Sequence, residues 1–140
     1  MTAEEIQSKL AILRDNLEKL EALPAGTYDE FVADFRTVDS ALHRLQTSIQ
    51  VLIDVGSFVV AELGLGAPST SRGVLEVLEE HGSLPQGAAA RFGPIFGFRN
   101  RVVHLYDRVD PKIVYRLLIE RREDLAELAD LLTGALETGR

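Results

Sequence analysis

At 140 residues, with 46% hydrophobic content and five prolines, the chain has room for one domain spanning residues 1–140 and for no second core. Cysteine is absent, which removes disulfides, thiolate metal sites and cysteine nucleophiles together and fits a reducing compartment. A net charge of −7 argues against broad wrapping of a nucleic-acid duplex, because phosphate contacts need cationic side chains.

The leucine- and alanine-rich, aromatic-poor composition favours helices over strands. Thr2 and Glu5 have the spacing of a capping box, and Ile6, Leu10, Leu13, Leu17 and Leu20 recur at steps of four and three, predicting a first helix that ends near Pro24. Its start has neither the basic residues nor the apolar run of a secretion signal, and the longest apolar stretch is broken by Asp54, so a cytoplasmic protein with no membrane span is expected. Thr27 and Glu30 form a second box, opening a short helix with Tyr28, Phe31 and Phe35. From Arg36 to Gly64 runs a long helical pattern with Val38, Leu42, Leu45, Ile49 and Leu52 on one face. Beyond it Ile53, Val55, Phe58, Val59, Val60 and Leu63 circle much of the helix, which predicts a central or dimer-interface element.

The glycines of residues 64–68 lack the Gly-Lys-Ser/Thr of a phosphate loop and read as a helix stop. A helix over Arg72 to Glu80 closes at His81 and Gly82, and Ser83 with Gln86 suggests a third box starting a helix through Phe92. Gly93-Pro94 is expected to interrupt or kink it, with a new helix from Pro94 delivering residues 99–106. Asp107 to Asp110 reads as a turn, with Asp110 as N-cap and Pro111 at the first position of a last helix reaching Leu136.

Residues 99–106, Arg-Asn-Arg-Val-Val-His-Leu-Tyr, are the one place where ionisable residues cluster without resembling ordinary helix surface. Between Pro85 and Arg116 six basic residues (Arg91, Arg99, Arg101, Arg108, Lys112, Arg116) face only Asp107 and Asp110, a local balance of +4 that leaves −11 for the remainder. Such a patch suits small, site-focused RNA contacts, and arginine, asparagine, histidine and tyrosine together suit an anionic phosphate and a proton transfer. At about 100° per residue on a helix, Arg99 and Tyr106 share one face and Asn100 and His104 another, while Arg99 and His104 stand about 140° apart. A site using both then calls on arginine's reach, a distorted helix or a second copy of the chain. His43 and His81 have no polar company and read as structural, and three scattered histidines offer no metal-ligand spacing.

The run Arg99 to His104 resembles the Arg-polar-x-x-x-His motif of the HEPN superfamily of helical ribonucleases, and its continuation to Tyr106 resembles the Arg-x4–6-His-x-Tyr motif of HepT-like toxins from MntA/HepT toxin–antitoxin systems. The likeness extends from about Ala41 to Leu132. It implies an all-α, up-and-down HEPN bundle forming a homodimer, and metal-independent RNA cleavage at the dimer cleft without a cofactor. Arg99 and His104 match the catalytic pair, and Asn100, Arg101 and Tyr106 support them or hold RNA. The partner it implies is a MntA-type nucleotidyltransferase antitoxin, which attaches AMP to the tyrosine matching Tyr106. A non-catalytic helical module that pairs with a nucleotidyltransferase, and a purely structural helical dimer, are the competing readings.

Overall fold

Local signals open most of the helices. The Thr2 hydroxyl accepts the Glu5 amide at 3.2 Å and starts α1 (Ala3–Glu21), and the Thr27 hydroxyl accepts the Glu30 amide at 3.1 Å and starts α2 (Tyr28–Val32). Asp34 caps α3 (Phe35–Glu62) through the Arg36 amide, and Thr70 caps α4 (Ser71–His81) through the Gly73 amide. Then follow α5 (Ala88–Phe96), α6 (Phe98–Val102), β1 (Val103–His104), β2 (Arg108–Val109) and α7 (Pro111–Thr138). This is a computed structural model, and it describes residues 1–104 and 108–138, with the backbone alone for residues 99, 100, 103 and 104.

The architecture is an all-α bundle around α3, which packs against α1, α7, α4, α2 and α5. Leu45, Leu52, Val55 and Val59 of α3 are fully enclosed, as are Leu125, Leu128 and Leu132 of α7. Full burial of each such side chain is worth about 1.5–3 kcal/mol. A buried polar seam crosses the α1–α3 contact: Asn16 donates to the Thr47 hydroxyl at 2.8 Å and accepts from Arg44 at 3.1 Å, so both ends of its amide are satisfied. Tyr115 docks α2 onto α7, meeting Tyr28 edge-on at 5.4 Å and Phe31 at 5.3 Å between ring centres.

Four sequence expectations are corrected. Phe35 does not belong to α2; it opens α3 and is 72% exposed. The Ser83–Gln86 box does not form, because α5 starts only at Ala88, after Gly87 at φ 93°. Its first amides are capped from a distance by the Glu79 carboxylate of α4, which accepts Ala89 N at 2.7 Å and Gly87 N at 3.1 Å. Gly93-Pro94 does not break the helix: Pro94 lies inside α5 on its exposed side, late enough to interrupt little of the ladder, and the break comes at Gly97. Finally, the helix expected to run from Pro94 through Tyr106 ends at Val102. The chain then forms an antiparallel ladder in which Val103 pairs with Val109 and His104 with Arg108, so residues 108–109 are strand and not turn.

Candidate ribonuclease site

Two buried side chains hold α6. Phe98 and Val102, four residues apart and therefore on one face, are both fully enclosed. Arg101 on the opposite side is exposed and donates from Nη2 to the Pro94 carbonyl at 2.5 Å. Beyond Val102 the backbone is fastened a second time, the Asp110 amide donating to the Val102 carbonyl at 2.9 Å. Asp110 then accepts the Lys112 amide on its carboxylate at 3.0 Å and turns the chain into α7, as its position before Pro111 predicted.

This geometry changes the angular relations read from the sequence. Arg99, Asn100 and Arg101 lie on α6, but His104 lies on β1, so the pairing of Asn100 with His104 on one helix face and the 140° separation of Arg99 from His104 do not apply. Register instead places His104 opposite Arg108 on the neighbouring strand. Arg108, exposed and one of the six basic residues of the patch, is therefore His104's neighbour across the ladder, a relation that helical spacing could not reveal. Of the other expected members, Arg99 and Asn100 are placed by backbone alone, and Tyr106 lies outside the described residues.

The basic patch is also thinner than the count suggested. Arg91 is spent on α7: it pairs with Asp124 at 2.7 Å and with Glu127, and its guanidinium lies 4.8 Å from the Phe92 ring centre. Arg121 joins the same cluster, donating to Asp124 at 2.6 Å and to the Arg91 carbonyl. Burial pushes the Asp124 carboxyl up, but hydrogen bonds from Arg91 and Arg121 outweigh it and hold the group below the usual carboxylate range. The acids that neutralise Arg91 are more than thirty residues away, so no local count includes them.

Beside α6 lies a cavity of about 400 Å³ between α5–α6 and α7, with Arg101, Arg116 and Arg121 in its walls and Ile95, Phe98 and Leu117 among its apolar lining. A second groove of about 350 Å³, lined by Ile49, Ile53, Phe96 and Phe98 together with Gln46, Thr47 and Gln50, runs between α3 and α5–α6. His81 bonds the Ser83 hydroxyl at 2.8 Å and His43 is exposed on α3, and neither approaches this region through a contact of its own. Among the described residues no group of three or more His, Asp or Glu side chains could hold a metal ion, and no helix is long and apolar enough to cross a membrane.

Comparison with known proteins gives the fold and motif a context. The mRNA nuclease HepT of Shewanella oneidensis is 24% identical over 127 residues, 91% of this chain and 95% of that protein. The tRNA nuclease HepT of Aphanizomenon flos-aquae is 26% identical over 110 residues, 79% of this chain and 75% of its own length. Among solved structures, a tri-AMPylated HEPN toxin of Shewanella oneidensis in complex with MNT antitoxin superposes with a TM-score of 0.80 at 24% identity, covering 95% of this chain and 98% of that one. A toxin–antitoxin structure with AMP-PNP gives a TM-score of 0.79 at 23% identity over 94% of this chain and 99% of that one. The family described as "Ribonuclease HepT-like" matches residues 13–132, which takes in α2 through β2 and most of α7. The chain belongs to the HepT-like ribonuclease family.

Proposed function

We propose that this protein is a cytoplasmic endoribonuclease toxin that cleaves RNA without a metal at a cleft between two copies of the chain. The observation that carries the reading is the run Arg99-Asn100-Arg101-Val102-Val103-His104, set within the family-matched segment where α6 gives way to β1. His104 takes the proton of a ribose 2′-hydroxyl as its oxygen attacks the adjacent phosphorus, or returns a proton to the departing 5′-oxygen. The P–O5′ bond breaks, leaving a 2′,3′-cyclic phosphate and a free 5′-hydroxyl. Arg99, permanently charged and forked, stabilises the charge that builds on the phosphoryl oxygens. Asn100 orients the imidazole or the RNA, and Arg101 and Tyr106 hold the strand.

The groove between α3 and α5–α6, part apolar (Ile49, Ile53, Phe96) and part polar (Gln46, Thr47, Gln50), supports the homodimer because it borders the motif-bearing segment. The partner antitoxin is a MntA-type nucleotidyltransferase, in keeping with neighbours solved as toxin–antitoxin complexes, one of them with its toxin tri-AMPylated. Tyr106 is the proposed acceptor of AMP. A nucleotide there brings negative charge to the place the scissile phosphate must occupy.

Purified protein incubated with RNA in excess EDTA tests the enzymatic reading. Cleavage with cyclic phosphate ends is expected, lost in His104→Ala and severely reduced in Arg99→Lys while both variants keep the wild-type circular dichroism spectrum. Cleavage stopped by EDTA, or undiminished in His104→Ala, refutes the mechanism. A protein that cuts no RNA yet co-purifies with its nucleotidyltransferase is a binding module.

A further inference from the structure

α6 hangs from α5 by a single residue: α5 closes at Gly97 and α6 begins at Phe98, so the set of α5 decides where the motif-bearing segment starts. By its own sequence α5 is a poor foundation. Its nine residues are too few to stand as an isolated helix, it carries Gly93, and Pro94 has no N–H to give the Ala90 carbonyl. The missing support comes from α7. Arg91 Nη2 donates to Asp124 Oδ1 at 2.7 Å and also reaches Glu127, Arg121 Nε donates to Asp124 Oδ2 at 2.6 Å, and Arg121 Nη2 donates to the Arg91 carbonyl. Arg91 is thus gripped twice, by its side chain and by its backbone, which holds α5 against both sliding and rolling on α7. Asp124 is the hub of this clamp: each of its oxygens takes one guanidinium, and its side chain is 18% exposed against 49% for Arg91 and 27% for Arg121.

The end of α5 is tied to the motif as well, because Arg101 of α6 donates to the Pro94 carbonyl. A path of hydrogen bonds and one short helix therefore runs from Asp124 through Arg91 and Arg121 to α5, and from α5 to α6. We propose that Asp124 is a positioning residue for RNA cleavage: it sets α5, and through Gly97 the place of α6 and β1, the elements that carry Arg99 and His104. Asp124 does not meet RNA itself, since both its oxygens are taken by arginines. The inference rests on the ribonuclease reading for the reaction, while the clamp stands on contacts within the fold. An amide at this position would turn an N–H donor towards a guanidinium, donor against donor, and free the Arg121 fork to leave the Arg91 carbonyl. A misplacement of about 1 Å at a reacting group can cost about a hundredfold in rate, so a loosened α5 need not unfold to be felt at the site.

The test pairs two measurements on the full-length protein: steady-state cleavage of a single-stranded RNA 12-mer carrying a fluorophore and a quencher, and amide hydrogen exchange by mass spectrometry without RNA. Asp124→Asn is expected to lower kcat about tenfold with KM within about twofold, because ground-state contacts with the strand are untouched. Exchange in peptides covering residues 95–102 should quicken about tenfold while peptides of α1 stay within about twofold of wild type. Arg121→Lys keeps a charge beside Asp124 but loses the fork that also reaches the Arg91 carbonyl, and it should move both readings the same way. Leu128→Ala, a fully enclosed residue farther along α7, is the control for stability alone and should leave kcat within about twofold at 25 °C. Unchanged exchange over residues 95–102 in both clamp variants overturns the proposal. So does quickened exchange with wild-type kcat, and so does a raised KM at wild-type kcat, which would put the cluster in contact with RNA. A kcat loss in Leu128→Ala equal to that in Asp124→Asn also overturns it, since the effect is then general loosening. Quickened exchange in a protein that cuts no RNA defeats the ribonuclease reading but leaves the clamp on α6 standing.

Discussion

Replacing Phe98 with alanine separates the stability of the bundle from the placement of α6. The ring is fully enclosed, and it borders both cavities that flank α6. Phenylalanine-to-alanine changes in cores cost about 3–5 kcal/mol, and the lower end of that range sets the expectation at about 3 kcal/mol or more. A chain of this size loses about 0.3 kcal/mol per degree at its midpoint, so the melting temperature should fall by roughly 10 °C. If the starting stability is within the ordinary range of about 5–15 kcal/mol, nearly all molecules remain folded at 25 °C, and any change in RNA cleavage there reports geometry. Leu128→Ala is the control: Leu128 is equally enclosed, lines neither of those cavities, and should cost about 2–5 kcal/mol. Urea unfolding gives both stabilities, and cleavage rates at 25 °C give the second readout. Phe98→Ala should cut the rate at least tenfold and Leu128→Ala by less than about twofold, as a small misplacement of reacting groups costs far more than distant loosening. A destabilisation under 1 kcal/mol would show that Phe98 does not anchor α6. Equal rate losses in the two variants at matched stability would refute the positioning argument.

Three further outcomes are expected. Glu79→Gln should lower the melting temperature at neutral pH, because the backbone amides of Ala89 and Gly87 hold the carboxyl below its usual range. A depressed carboxyl stabilises above its unfolded value and loses that contribution as pH falls through its folded value, so the melting gap between wild type and variant should close on acidification. Gly56→Ala should cost about 1 kcal/mol by urea titration despite alanine's better helix propensity, since its Cβ would stand 3.0 Å from Cγ1 of Val74, a buried and stiff neighbour. Co-expression with the nucleotidyltransferase should add AMP-sized mass to the Tyr106 peptide and not to Tyr106→Phe; neutralised toxin of unmodified mass would mean that silencing is by binding alone.

What the sequence made readable divides along the range of the interactions. The starts of α1, α2 and α7 were legible because Thr2, Thr27 and Asp110 bond amides within three residues of themselves. The end of α4 was legible because Gly82 adopts φ 90°, a conformation glycine takes without strain. The start of α5 was not, since its cap is Glu79, eight and ten residues upstream of the amides it accepts. The same holds for the site. The residues of the motif stand out by type, but helical periodicity carried the reading past Val102 into a segment whose backbone partners are Arg108 and Val109. Strand pairing is not written in a window of one turn, and the β-branched Val102 and Val103 were the available warning.

The shortness of α6 has a consequence for how far the motif can travel. Five residues cannot sustain a helix alone, because nucleation fixes several residues for the first hydrogen bond and isolated segments shorter than about 12–15 residues are marginal in water. The shape of this segment is therefore lent by its surroundings: by the pocket around Phe98 and Val102, by the Pro94 carbonyl that holds Arg101, and by the Asp110 amide that closes on Val102. A synthetic peptide of residues 98–110 would contain Arg99, Asn100, Arg101, His104 and Tyr106 and should show a coil spectrum. Grafting those letters onto an unrelated helix would likewise transfer the string without its geometry, so the heritable unit of this site is the bundle from α3 to α7.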